Sequence, residues 1–324
     1  MPAIALTRGE QVESIHPFSA VAVDAEGRVV RWMGPEVSAC WRSAAKPFQL
    51  RCSLEALAQA GVATDDLSAE QIAIGAASHA GQIEHIRLVR GMLARFGVPE
   101  SALACAPHPP SFDGAYRALI RGGGEVTDIH NNCSGKHTYM LAASAAQGWT
   151  GDYRDPEHPL QRRIRDAVVG LCGHAPAAGV DGCGVPTFGM PIDGFARAWA
   201  TLGRAALGDG DPVLGRIGRA MEAWPHLISG TGKLDEDMAG GRRERMITKI
   251  GAQALYCIAL PERGLGVAVK MHTGVELPLG EAVAVALDAF APGAWARPSD
   301  WTWDVIPNVA GRVVGKRALT DYIP

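Results

Sequence analysis

The sequence predicts an α+β fold, in which strands from the N- and C-terminal parts of the chain share one antiparallel sheet around a helical middle. Short β-type runs joined by turn residues occur at residues 20–32 and again at residues 254–270. The residues between them show mainly the 3–4 apolar spacing of amphipathic helices. No repeat, low-complexity linker or clear boundary interrupts the 324 residues, which predicts a single domain over 1–324.

The N-terminal part is predicted to be a hairpin followed by a helix. Residues 20–23 and 29–32 are β-type runs, and the turn residues 24–27 separate them. A helix is predicted from about Ser43 to residue 60, where Gly61 would end it. The proline near the start of this helix lies in its first turns, where proline is better tolerated than in the interior.

The middle of the chain is predicted to be mostly helical. An apolar run at 72–77 is expected to be a buried segment that leads into a polar loop at Ser78. Residues 229–241 contain glycines and acidic residues, and we expect a mobile loop there. The segments predicted to be helices are 83–96, 112–120, 159–171, 193–202 with Asp193 as its N-cap, and 213–224. The polar stretch 128–137 is also expected to become a helix that runs to residue 146.

The C-terminal part is predicted to begin with a second hairpin. Its strands are residues 254–260 and 266–270, with a turn at 261–264. A helix at 279–290 and a last strand at 308–314 are expected to follow.

Composition excludes several classes of function. The net charge is −3 and no basic stripe is present, which argues against nucleic acid and anionic membrane surfaces as partners. The N-terminus does not resemble a secretory signal, and no apolar run is long enough to span a bilayer. The seven cysteines are scattered along the chain, so a cytoplasmic protein with reduced thiols is expected.

The first group of chemically interesting residues contains serines and lysines. Ser43 and Lys46 form an S-x-x-K pattern at the predicted start of a helix, where residues three apart share a face. A serine hydroxyl needs a base, and a lysine can be that base when its pKa is lowered. The alternative is a helix cap with an exposed lysine. Ser78 could enter a pocket or bond its own loop, and for Lys249 the residues alone favour a lysine that snorkels from a partly buried helix.

The second group contains cysteines in polar, glycine-rich surroundings. Cys133 and Cys183, with a third nitrogen donor from Lys136, His137 or His130, could bind Zn²⁺ and leave a fourth position for water. A lysine ligates a metal only when it is neutral, so such a site would depend on pH. The alternative, which spacing alone favours, is two unrelated loop cysteines; a disulfide and a catalytic cysteine have less support.

Taken together, these segments resemble the rhizobial-type (inducible, thermolabile) asparaginase family over nearly the whole chain. The motifs that carry the resemblance are Arg42-Ser43-Ala44-Ala45-Lys46-Pro47, Ala77-Ser78-His79, Asn132-Cys133-Ser134-Gly135-Lys136-His137, Asp181-Gly182-Cys183-Gly184-Val185-Pro186-Thr187, Lys249-Ile250-Gly251-Ala252 and Gly266-Val267-Ala268-Val269-Lys270. The resemblance implies a fold like serine β-lactamases and penicillin-binding proteins, a homodimer, and hydrolysis of L-asparagine to L-aspartate and ammonia.

The resemblance also implies roles for individual residues. Ser43 would be the nucleophile with Lys46 as its partner, and Ser78 with Lys249 would form a second Ser–Lys pair. Zn²⁺ would tune substrate binding rather than perform the chemistry. The implied metal ligands are Cys133, Lys136 and Cys183, and the residues assigned to substrate binding are Arg42, Asp181, His79 and His137. Two departures border the pocket: the segment after Ser78 is not serine-rich, and Gly184 follows Cys183 where a relative has asparagine.

Three alternative functions follow from the same residues. A β-lactamase or penicillin-binding enzyme lacks support because the chain contains neither S-D-N nor K-T-G. A serine-dependent glutaminase differs by one methylene in its substrate, a difference worth only ~1–3 kcal/mol. A non-catalytic amino-acid-binding module would have no need to keep Ser43, Lys46, Ser78 and Lys249 together.

Overall fold

The structure is a computed structural model that describes residues 1–322. Within that range there are eleven strands and eleven α-helices. The strands are β1 (Pro2–Arg8), β2 (Gln11–Asp24), β3 (Val29–Met33), β4 (Ser38–Cys40), β5 (Ala177–Val180), β6 (Pro186–Pro191), β7 (Ile247–Gly251), β8 (Leu255–Leu260), β9 (Leu265–Met271), β10 (Val305–Pro307) and β11 (Val313–Asp321). The helices are α1 (Lys46–Gln59), α2 (Ala69–Ala76), α3 (Ile83–Arg95), α4 (Asp113–Arg121), α5 (Ser134–Ala146), α6 (Pro159–Cys172), α7 (Ile192–Ala206), α8 (Pro212–Ala223), α9 (Pro225–Ile228), α10 (Leu234–Gly240) and α11 (Leu279–Phe290).

The main sheet joins strands from both ends of the chain. Its order is β10-β11-β1-β2-β9-β8-β7, β3 pairs with β2 at the side, and every pairing is antiparallel. The long strand β2 pairs with β1 through its first half and with β3 and β9 through its second half. The predicted α+β class, with an antiparallel sheet from the two ends and a helical middle, is therefore confirmed.

Strand β8 is buried on both faces, because each face of the sheet has its own core. Leu255, Cys257 and Ala259 belong to the core on the side of the helical middle. The alternate residues Tyr256, Ile258 and Leu260 belong to the core that α11 covers. This alternation follows from the two-residue period of a strand.

Two glycines allow close packing in the fold. A Cβ at Gly135, in the first turn of α5, would lie 2.1 Å from the Ile74 carbonyl oxygen of α2. A Cβ at Gly266 would lie 1.9 Å from the Ala196 carbonyl oxygen, so β9 contacts α7 directly through its backbone. Such distances exclude any side chain unless one of the elements moves.

Several local predictions were wrong in position or type. The run at 72–77, by contrast, is buried and leads into the loop at Ser78 as predicted, and it belongs to α2, which the capping box at Ser68 and Gln71 starts. The expected mobile loop at 229–241 contains α10, and the last strand is β11 rather than residues 308–314. Asp193 lies in the first turn of α7 and does not cap it.

The hairpins and most other helices agree with the sequence predictions within a few residues. The two N-terminal β-type runs form β2 and β3, and the C-terminal pair forms β8 and β9. Within residues 1–322, no helix combines the length and the apolar character needed to cross a membrane.

Candidate active site

A cavity of about 340 Å³ opens between the helical middle and the end of strand β7. Its volume is within the range of small-molecule sites. Serines, one asparagine and two glycines make up about half of the residues in its wall. The lining residues are Ser43, Ser78, Ser111, Asn132, Ser229, Gly232, Lys233, Leu234, Ile250, Gly251, Ala252, Glu276 and Trp303. Two of the four predicted catalytic residues, Ser43 and Ser78, therefore face one cavity.

Ser43 is presented by a tight turn rather than by the helix itself. Residues Arg42–Ala45 form one turn of 3-10 helix, and α1 begins only at Lys46. Arg42 has a φ of 51°, in the left-handed region, which costs a non-glycine residue on the order of 1–3 kcal/mol. The Arg42 amide donates to Thr187 Oγ1 at 3.2 Å, and its Nε donates to Asp181 Oδ1 at 2.5 Å. These contacts hold the backbone that carries Ser43.

Lys46 lies fully buried behind the cavity and is hydrogen-bonded to three oxygens. Its Nζ donates to the Ala77 carbonyl at 2.6 Å, to Ser78 Oγ at 2.8 Å and to the Asn132 carbonyl at 3.4 Å. Three acceptors match the three N–H bonds of an ammonium group. The structure thus joins Ser78 to Lys46, whereas the family resemblance pairs Ser78 with Lys249.

Lys249 is also fully buried, on strand β7 and facing the helical side of the sheet. Its Nζ donates to the Ile250 carbonyl at 2.9 Å and lies 3.7 Å from Asp235 Oδ2. Burial lowers the pKa of Lys249 to about 8, and the charge of Lys46 acts in the same direction, whereas Asp235 opposes the change. The prediction that Lys249 snorkels from a helix was wrong, because the residue is on the edge strand β7 and its side chain is fully buried.

Sequence reasoning missed Asp235, the buried carboxylate beside Lys249. It lies in α10, and its two oxygens accept from the Ile250 amide at 3.0 and 3.3 Å. The same contacts tie α10 to β7. The available signal was the apolar pair Leu234 and Met238, whose i,i+4 spacing with acidic residues in the first turn is typical of a short helix.

The three predicted metal ligands lie together in the interior. Cys133, Lys136 and Cys183 are all buried, and Lys136 Nζ lies 3.1 Å from Cys183 Sγ. Asn131 fixes the turn before α5, because its Oδ1 accepts from the Cys133 amide at 2.8 Å. The turn between β5 and β6 presents Cys183, since the Gly184 amide donates to the Asp181 carbonyl at 2.9 Å. Two loop segments far apart in sequence are therefore brought together.

The two thiols and the amine of this thiol cluster shift one another's pKa values. The hydrogen bond between the two sulfurs lowers the pKa of Cys133, against burial, and it raises the pKa of Cys183 together with burial. Burial also works against the ammonium group of Lys136, but negative charge on the neighbouring sulfurs raises its pKa overall. Two sulfurs and an amine nitrogen suit Zn²⁺ in donor type, provided that Lys136 releases its proton. Within residues 1–322, no group of three or more His, Cys, Asp or Glu side chains is arranged for a metal.

Asp181 lies between Arg42 and the thiol cluster. Burial would raise its pKa, but the charges of Lys136 and Arg42 lower the pKa below the usual value of an aspartate. The Gly182 amide also donates to its Oδ1 at 2.8 Å. Asp181 is therefore held as a carboxylate, in contact with the turn that carries Ser43.

The two predicted substrate-binding histidines lie outside the cavity lining. His79 is buried; its Nδ1 accepts from the Gly81 amide at 3.2 Å, so Nε2 carries the proton and donates to Ser134 Oγ at 2.9 Å. His137 Nδ1 contacts the Tyr153 hydroxyl at 2.7 Å. Burial lowers the pKa of both imidazoles. Their role in substrate binding stays a prediction.

A cavity lined by serines and backed by buried lysines, on an α+β fold, has the components of a hydrolase site that acts through a nucleophile. The chain belongs to the L-asparaginase II family, whose family model matches residues 4–319. The predicted family resemblance is confirmed. None of the curated proteins compared with the chain matches it.

Solved structures give only distant similarities. The native form of Mglu aligns with 13% identity and a TM-score of 0.46, covering 88% of this chain and 66% of that one. A beta-lactamase from Mycobacterium bovis aligns with 14% identity and a TM-score of 0.46, covering 84% and 94%. A mutant simvastatin synthase from Aspergillus terreus aligns with 13% identity and a TM-score of 0.42, covering 84% and 90%. This chain thus spans just under two thirds of the Mglu chain.

Proposed function

We propose that this protein is an L-asparaginase that hydrolyses L-asparagine to L-aspartate and ammonia through an acyl-enzyme on Ser43. The observation that carries the proposal is the juxtaposition of Ser43 and Ser78 on one cavity, with the buried amine of Lys46 bonded to Ser78 Oγ at 2.8 Å. Membership of the L-asparaginase II family supplies the substrate class. The chain would act as a cytoplasmic homodimer, as the family resemblance implies.

The proposed reaction has two halves, and in each half the lysine accepts one proton and then gives it up. Ser43 Oγ attacks the side-chain amide carbon while a neutral lysine accepts the hydroxyl proton. The C–N bond then breaks, the lysine returns that proton to the leaving nitrogen, and ammonia departs. In the second half a water molecule attacks the ester, the lysine takes its proton, and the C–O bond to Ser43 breaks with the proton returning to Ser43.

Two features favour Lys249 as the amine that becomes neutral. Its pKa is lowered to about 8, so a large fraction loses its proton in mildly alkaline solution. Lys46 Nζ is instead occupied by hydrogen bonds to three oxygens, none of which is Ser43 Oγ. In this scheme Lys46 holds Ser78 in place, and its positive charge helps to keep Lys249 neutral.

The decisive experiment is Ser43→Ala, measured as ammonia release from L-asparagine and L-glutamine. Loss of the nucleophile is expected to reduce kcat by on the order of 10⁴-fold or more. Ser101→Ala, at an exposed serine away from the cavity, is the matched control and should behave as wild type. Near-normal turnover by Ser43→Ala would refute the nucleophile assignment. Faster turnover of glutamine by the wild type would favour the glutaminase alternative, and hydrolysis of a penicillin in place of either amide would favour a β-lactamase.

We also propose that Cys133, Cys183 and Lys136 hold a zinc ion. Bound there, Zn²⁺ would supply positive charge beside Asn132, a residue of the cavity wall that Cys133 Sγ contacts at 3.4 Å. The chain's own residues set the site: Asn131 orients the turn of Cys133, and Arg42 with Lys136 keeps Asp181 ionised beside it.

Elemental analysis of purified protein tests the zinc site. The wild type is expected to carry about one zinc per chain, and Cys133→Ser should lose it, with a higher KM for asparagine and a smaller effect on kcat. Cys40→Ser removes an exposed thiol outside the cluster and should retain the metal. Equal zinc content in the wild type and in Cys133→Ser would exclude this site.

A further inference from the structure

The cavity wall carries two ionisable side chains of opposite sign among the described residues, Lys233 and Glu276. The remaining lining consists of serines, Asn132, Trp303 and apolar or glycine positions. A site with one positive and one negative group on an otherwise neutral wall matches a ligand that carries both charges. The free α-amino acid, with its ammonium and carboxylate groups, is such a ligand.

Neither of these charges is neutralised by the protein within residues 1–322. Lys233 Nζ makes one long contact, to the Ser111 carbonyl at 3.4 Å, and no carboxylate lies within 4.0 Å of it. The Glu276 side chain has no hydrogen bond or ion pair with the described residues. A charged group that remains unpaired at a cavity keeps its full bonding capacity for a ligand.

The backbones that carry both residues are fixed, although the side chains are free. Lys233 directly precedes α10, and its amide donates to the Gly230 carbonyl at 3.2 Å. Glu276 lies between β9 and α11, where its carbonyl accepts from the Leu279 amide at 2.9 Å. The two residues come from segments 43 positions apart, yet both face the cavity that Ser43 and Ser78 line.

We propose that Lys233 binds the α-carboxylate and Glu276 binds the α-ammonium group of the substrate, so that the site selects free amino-acid amides. This inference rests on the proposed function, because it places the side-chain amide at Ser43. It excludes asparagine within a peptide, which has neither charge on its α-carbon. Each charged contact is a charge-assisted hydrogen bond, so its loss should reduce kcat/KM by about 10- to 100-fold.

The test uses three amides that differ only in the α-substituents: L-asparagine, succinamate without the ammonium group, and 3-aminopropanamide without the carboxylate. Glu276→Gln should reduce kcat/KM for asparagine by about 10- to 100-fold and leave succinamate unaffected. Lys233→Met should reduce kcat/KM for asparagine to a similar extent and leave 3-aminopropanamide unaffected. Where an analogue is not turned over, its inhibition constant against asparagine is the readout. Glu10→Gln and Lys316→Met, at exposed positions away from the cavity, are the matched controls.

The losses in kcat/KM across the three amides distinguish a role in substrate recognition from a structural role of Lys233 and Glu276. Equal losses on all three amides would indicate a merely structural role and overturn the assignment, as would unchanged kinetics on asparagine. If the wild type releases no ammonia from asparagine, the proposed function fails, and calorimetric binding of L-asparagine then tests the inference alone. Weaker binding to both variants would support it, and equal binding to wild type and variants would refute it.

Discussion

At the scale of single residues, the two buried lysines beside the cavity are in different electrostatic environments. Lys46 is surrounded by three oxygen acceptors, whereas Lys249 has one carbonyl and a carboxylate 3.7 Å away. Burial, with the charge of Lys46 acting in the same direction, lowers the pKa of Lys249 to about 8, although the Asp235 carboxylate opposes the change. The chemistry therefore depends on an environment that no short motif specifies.

This environment predicts an alkaline pH dependence of kcat. The neutral fraction of Lys249 increases as the pH rises through about 8, so kcat should rise between about pH 7 and 9 and then level off. Asp235→Asn removes the charge that raises the pKa of Lys249, so the rising limb should move to lower pH. Asp166→Asn, at an exposed surface carboxylate, should leave the profile in place. If the rising limb of Asp235→Asn moved to higher pH, that result would contradict the proposed interaction between Asp235 and Lys249.

At the scale of elements, a histidine on α9 connects the loop that lines the cavity to α3. His226 Nδ1 contacts Glu236 Oε1 at 2.9 Å, and its Nε2 contacts Glu84 Oε1 at 2.7 Å. Glu236 Oε2 accepts from the Gly232 amide at 2.9 Å, at the cavity wall. The ring also stacks on His85, with centroids 5.5 Å apart. α3, α9 and α10 are thus joined through one imidazolium between two carboxylates.

The protonation of His226 should couple stability to pH. Burial opposes its charge, but hydrogen bonds to Glu84 and Glu236 raise its pKa above the usual value. A raised pKa in the folded state means that the stabilisation is fully present below about pH 6.5 and is lost as the pH rises through the folded value. The Tm difference between wild type and His226→Asn should therefore be largest near pH 6 and shrink by pH 8. A difference that grows with pH would contradict this coupling; His108→Asn, at an exposed histidine, is the control.

At the scale of the whole molecule, the central strand β8 joins the two cores on either side of the sheet. Its residues alternate between the core below the helical middle and the core below α11. Every residue of the strand is buried, as expected for a strand covered on both faces. The free energy of unfolding should therefore be especially sensitive to substitutions in this strand that replace a large side chain by a small one.

Ile258→Ala tests that sensitivity. The side chain is fully buried among the residues packed below α11, so truncation should cost about 2–5 kcal/mol of unfolding free energy. Val30→Ala, on β3 with 58% of its surface exposed, should change the free energy by less than about 0.5 kcal/mol. Both values can be measured by urea denaturation. If both variants changed the free energy of unfolding by similarly small amounts, β8 would not be an important part of the two cores.

The sequence by itself determined the elements and the inventory of reactive groups. Local patterns identified both hairpins and most helices, because apolar periodicity and turn residues act within about ten positions. Ser43, Ser78 and the Cys133 motif were identified in the same way. The sequence pattern did not predict the short helix α10, which carries Asp235, because glycines in residues 229–241 are more typical of a loop.

Only the tertiary structure decided which of these groups meet. Ser78 bonds Lys46, 32 positions away, and Lys136 contacts Cys183, 47 positions away. Burial on strand β7 lowers the pKa of Lys249, although its neighbours in sequence also suit a surface helix. The physical reason is that both the hydrogen-bond partners and the pKa of a buried side chain depend on how segments distant in sequence pack together. That packing determines the distances between the groups and how far each is removed from water. The local sequence pattern determines only the secondary structure and which side chains are present.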